Sequence, residues 1–89
     1  EIERIGGKMN KLKIGSLVHI VMEDGQHRPA ICVRIWSNEG GNFQMFLDGT
    51  NDGQIDITPE EQKSGIKWMT SVCYSEEKPT RTWHWPEQE

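Results

Sequence analysis

The chain is punctuated too often for long helices. Asp24-Gly25, Gly40-Gly41, the run Asp48-Gly49-Thr50-Asn51-Asp52-Gly53 and Gly65 are turn signals, and only short segments remain between them. Those segments alternate. In Ser16–Glu23, Val18, Ile20 and Met22 share one strand face, with Leu17, His19 and Val21 on the other. Pro29 ends the connection that follows, and Ala30–Trp36 reads as a second strand. Its Ile31, Val33 and Ile35 are expected to face the core, with Cys32, Arg34 and Trp36 facing away. A third strand, Phe43–Asp48, sets Phe43, Met45 and Leu47 against Gln44 and Phe46. A short strand is expected at Gln54–Ile57, and a last one at Ile66–Tyr74 with Ile66, Trp68, Thr70 and Val72 on one face and Trp68 in the core.

One helix start stands out. Thr58 suits the N-cap, Pro59 the first helical position and Glu61 the capping-box acid, while Gly65 limits the helix to one or two turns. These elements predict an all-β fold: a small SH3-like barrel or strongly bent antiparallel sheet, with one short helical turn and an extended C-terminal tail. Met9-Asn10-Lys11-Leu12 resembles a native start, so residues 1–8 read as an N-terminal extension, 9–74 as the barrel domain and 75–89 as an extended Trp-rich tail.

A chain of 89 residues is one domain. Such a chain buries only about 60% of its unfolded surface, so a ligand or a partner subunit is a natural source of extra stability, and a homo-oligomer is expected. The net charge of −4 disfavours duplex nucleic acid as a partner, although Arg28, Arg34 and Arg81 could form a local basic patch. No apolar run approaches the ~20 residues that span a bilayer, and none reads as a signal-peptide core. Cys32 and Cys73 are therefore expected to be reduced thiols in strands.

Catalytic chemistry is not legible. His19, His27 and His84 lack metal-ligand spacing, the cysteines form no CxxC pair, and there is no nucleophile elbow, phosphate loop or dinucleotide fingerprint. Neither an enzyme, a metal nor a cofactor is expected. The Asp48–Asp56 segment partly matches a calcium loop, but Pro59 stands where the bidentate Glu belongs, so an inter-strand turn is the simpler reading. Tryptophan is the unusual feature, with Trp36, Trp68, Trp83 and Trp85 in so short a chain. Trp83 and Trp85 alternate around His84. They could lie over the end of their own barrel, pack on a neighbouring subunit, or stack on a ligand. Arginine beside aromatic rings suits nucleotide bases and phosphates, which makes His27, Arg28, Arg34, Trp36, Trp83, His84 and Trp85 the expected ligand-contact set.

The segments Val18–Ala30, Phe46–Asp52, Thr70–Val72 and Thr82–Glu87 resemble a set of small uncharacterised proteins encoded by tailed bacteriophages. His27-Arg28-Pro29-Ala30 and Trp83-His84-Trp85-Pro86 are the most specific parts of this resemblance, which covers nearly everything after Met9. It implies origin and size class, and with them a place in the host bacterial cytoplasm. It carries no activity. The expectation is a non-enzymatic accessory protein that binds a small ligand or host factor, most sharply one that sequesters a nucleotide-derived signal of antiviral defence. The alternative is a structural or adaptor component whose tail contacts another protein.

Overall fold

The structure is a computed structural model that describes residues 11–52 and 57–87. The expected extension at residues 1–8 and most of the expected strand at Gln54–Ile57 lie outside the described residues. Five strands close into a barrel: β1 Leu17–Val21, β2 His27–Ile35, β3 Gly40–Phe46, β4 Ile66–Tyr74 and β5 Thr82–His84, with α1 Pro59–Ser64 between β3 and β4. Neighbours are antiparallel except β4 and β5, which run parallel. No helix among the described residues is long and apolar enough to cross a membrane.

The β1–β2 hairpin turns at Asp24-Gly25, where Gly25 sits at φ 90° and Asp24 Oδ1 accepts the Gln26 N–H. Helix α1 has the full capping box. Thr58 accepts the Glu61 N–H, Glu61 accepts the Thr58 N–H, and Gly65 ends the helix in the left-handed region.

The interior holds Val18 and Ile20 from β1, Ala30 and Cys32 from β2, Phe43 and Met45 from β3, Met69 and Val72 from β4, and Trp83 from β5. Trp83 is 2% exposed, and its indole N–H is satisfied by the Glu39 carbonyl at 2.8 Å. The Trp-rich segment thus supplies the closing strand.

Two core expectations are overturned. In β2 the inward residues are Ala30 and Cys32, whereas Ile31 and Val33 are exposed. The register decides this: Val18 pairs with Ala30 and Leu17 with Ile31, and the interior is already filled by Phe43, Met45 and Trp83. A bulge between Cys32 and Arg34 then returns Ile35 to the core. In β4, Ile66 and Trp68 face outward, with Trp68 55% exposed, and Met69 and Val72 face inward. Strict alternation fails because Ser71 adopts φ 57°, its N–H bonded to the buried Asn42 side chain across the Gly41/Phe43 irregularity of β3.

Candidate metal centre

The residues expected to contact a ligand divide into separate places. Arg28 is the second residue of β2, not part of a free connection, and its guanidinium holds the 48–52 loop through Asp52 Oδ1 at 3.3 Å and the Asn51 carbonyl. The Asp52 carboxylate also accepts the N–H groups of Asp48 and Gly49, so it closes its own turn. Arg34 and Trp36 form a pair of their own, the guanidinium carbon 4.3 Å from the ring centroid, with the indole N–H on Asn42 Oδ1 at 2.7 Å. Trp83 is core. Trp85 packs edge-on against it at 5.1 Å.

His27 and His84 do come together, and His19 and Glu87 join them. The register explains how. His19 on β1 faces His84 on β5, with the next residues paired Ile20 to Trp83. His27 opens β2 opposite Val21, two residues along β1 from His19 and on the same face. Three imidazoles from three strands therefore meet on the outer face, beside the β1–β2 hairpin. Their ring centroids lie 4.7 Å apart for His27–His84, 5.8 Å for His19–His84 and 6.4 Å for His19–His27, at steep interplanar angles of 68°, 82° and 55°.

Glu87 completes the set from the segment after β5. Its Oε1 lies 2.7 Å from His19 Nδ1, and its Oε2 lies 3.0 Å from His27 Nδ1 and 2.6 Å from His84 Nε2. Lys78 Nζ reaches the same Oε2 at 3.1 Å. One ligand atom from each of His19, His27, His84 and Glu87 lies within 4.8 Å of all the others.

His84 is the informative member. It is 3% exposed, yet neither ring nitrogen has a hydrogen-bond partner, because the close approach of Nε2 to Glu87 lacks hydrogen-bond angles. A buried polar atom left unpaired costs about 1–3 kcal/mol. Close approach without a hydrogen bond leaves His84 free to serve an ion, whereas His19 Nδ1 is already hydrogen-bonded to Glu87 Oε1 at 2.7 Å. A tetrahedral zinc site with bonds of about 2.0–2.1 Å spaces its ligand atoms about 3.3 Å apart, so the group is compact enough to share an ion once the Glu87 contacts of 2.6–3.0 Å lengthen. Burial pushes the His84 imidazole below its ordinary value despite the nearby Glu87. Burial works against ionisation of Glu87 as well, but hydrogen bonds from His19 and Lys78, with the charge of His84 when it is protonated, hold its carboxyl well below the usual range. Neutral imidazoles and an ionised carboxylate are the forms that bind metal.

Sequence reasoning tested the histidines for local spacing and found none. The ligands are contributed by separate strands, so only strand pairing reveals them. The one local signal was His84 and Glu87 three residues apart. No family model matches the chain, and no match is found among the curated proteins or the solved structures.

Proposed function

We propose that this barrel is a metal-binding accessory module that holds one divalent transition-metal ion among His19, His27, His84 and Glu87. The buried His84, its Nδ1 without a partner and its Nε2 close to Glu87 without hydrogen-bond geometry, at the meeting point of three imidazoles and a carboxylate, carries the reading. Imidazole ligands favour zinc, copper, nickel or iron over calcium and magnesium, and three nitrogens with one oxygen suit tetrahedral Zn2+. Four protein ligands fill that shell, a pattern for holding a metal more than for turning over a substrate. The ion would join β1, β2, β5 and the segment after β5. The resemblance to phage proteins supports an accessory role in an infected cell, with the metal in place of the nucleotide as the bound species.

Equilibrium dialysis against Zn2+ or Co2+ with elemental analysis tests this. One ion per chain is expected, weakened by His19→Ala, His27→Ala or Glu87→Ala and lost with His84→Ala. Absence of bound metal, or the same metal content in His84→Ala, overturns it.

A contact role has one observation in its favour. Leu17, Ile31 and Trp68 lie in one cross-strand row with Gln44, and Phe46 and Ile66 pair in the next, all on the outer face. These apolar side chains are 37–55% exposed, and none of the six residues is charged. An uncharged belt of this kind suits a second copy of the chain, since it meets itself without repulsion. Light scattering that gives a dimer for the wild type and a monomer for Trp68→Glu supports the role; a wild-type monomer removes it.

A further inference from the structure

The metal centre has an unusual neighbour in Lys78. Its ammonium is 3.1 Å from Glu87 Oε2, the oxygen that also faces His27 and His84. Its backbone lies in the left-handed region, φ 60°, which is uncommon for a residue that carries a side chain. A metal bonded to Glu87 and an ammonium bonded to the same carboxylate would stand about 5 Å apart.

The local charges do not balance. With neutral imidazoles, a dication and an ammonium face one carboxylate, and two positive charges remain. Among the described residues every ion pair of the cluster is made to Glu87, and none to a second carboxylate. A site meant only to hold a cation gains nothing from a lysine in this position, because like charges oppose loading. A site meant to hold a metal together with an anion gains a second anchor. The cluster is also open to such a guest, since the His19, His27 and Glu87 side chains are 27–32% exposed.

We propose that the metal centre and Lys78 together form a binding site for a small oxyanion, a carboxylate or a phosphate. One anion oxygen would bind the metal as a fifth ligand, while another accepts from the Lys78 ammonium. Zinc sites sometimes expand from four ligands to five. The ammonium acts as a point charge for the anion and does not touch the metal. Lys78 is thus a positioning and selectivity residue, and the histidines remain the metal's anchors. This inference rests on the metal reading above.

Cobalt supplies the test, because its visible absorption reports coordination number. The full chain is loaded with one equivalent of Co2+ in a sulfonate buffer and titrated separately with acetate and with inorganic phosphate, with nitrate as a weakly coordinating control. A saturable loss of visible intensity with acetate or phosphate is expected in the wild type and absent in Lys78→Met. The two arms show which oxyanion is preferred. In anion-free buffer Lys78→Met should bind Co2+ roughly tenfold more tightly, the size of the repulsion between a dication and an ammonium about 5 Å apart in water. Bound cobalt whose spectrum ignores both anions, or responds equally in Lys78→Met, overturns the oxyanion site and leaves the metal site standing. Failure of the wild type to bind cobalt or zinc overturns both.

Discussion

Replacing His84 by alanine separates a metal ligand from an ordinary buried side chain. A domain of this length has a stability of roughly 4–13 kcal/mol. A ligand that binds only the folded state adds about 2.7 kcal/mol when present at one hundred times its dissociation constant. Each kcal/mol moves the midpoint of a small domain by about 4–8 °C, so Zn2+ should raise the wild-type Tm by roughly 10–20 °C. In chelator the substitution has two opposing effects. It opens a cavity on the outer face at β5, and it removes a buried Nδ1 without a partner, which costs about 1–3 kcal/mol, along with an Nε2 close to Glu87 but not hydrogen-bonded to it. These nearly cancel, so His84→Ala in EDTA should melt within a few degrees of the wild type. With Zn2+ it should not shift at all. Thermal unfolding followed by circular dichroism, with zinc and with EDTA, gives all four values. If His84→Ala keeps the zinc shift, the assignment of ligands is wrong. If it collapses in EDTA, the imidazole is a packing element and the argument from its unpaired nitrogens fails.

Other outcomes follow from the same structure. Cys73 is exposed, whereas burial pushes the Cys32 thiol up, so a thiol reagent should label one cysteine quickly and the other only in denaturant; equal rates would contradict the barrel interior. A methyl group at Gly41 would collide with the Arg34 carbonyl, so Gly41→Ala should cost about 1–3 kcal/mol in urea unfolding, and a neutral result would refute the bulge geometry. The Thr58 backbone N–H, with Lys67 assisting, holds the Glu61 carboxyl below its ordinary value against the opposing effect of burial. The capping contribution is therefore complete above about pH 4.3, the ordinary glutamate value, and is lost as the pH falls through the lower folded-state value. Glu61→Gln should flatten that acid limb in urea midpoints measured against pH, and Thr58→Ala should cost about 1 kcal/mol at neutral pH.

Much of the architecture was legible because turn chemistry is local. Asp24-Gly25 and the Thr58–Gly65 cap sit where their residues place them. Orientation was harder. Alternation shows which residues share a face but not which face is inside, and both faces of β2 carry apolar residues. Ile31 and Val33 gave the stronger signal and lie outside, because large residues from β3 and β5 leave room only for Ala30 and Cys32 within. Trp68 misleads for a related reason: Ser71 breaks the period of β4, and no local rule places a serine at positive φ. The histidines were invisible as a group until β5 was recognised as a strand. Once Trp83 is taken as core, His84 must face outward, and antiparallel pairing with β1 sets it opposite His19.

The position of the cluster follows from how the barrel closes. β5 is only three residues long, and it is registered to β1 through His84 and Trp83 and to β4 through Thr82 and Trp83. A strand this short contributes few backbone hydrogen bonds, and its main anchor is the buried Trp83 ring, which contacts Phe43, Tyr74 and Trp85. Closing the barrel also requires fixing the 75–81 segment, whose folded conformation includes positive φ at Lys78 and Arg81. Closure therefore orders the 75–81 segment and a three-residue strand for few backbone contacts. A metal bound by β1, β2, β5 and Glu87 would cross-link that seam from the outside, as Trp83 does from within. Opening of β5 should then be the motion most suppressed by zinc. Amide exchange at Thr82–His84 should slow on metal addition far more than exchange in the β2–β3 ladder, and uniform slowing across the barrel would show that the ion does not act at the seam.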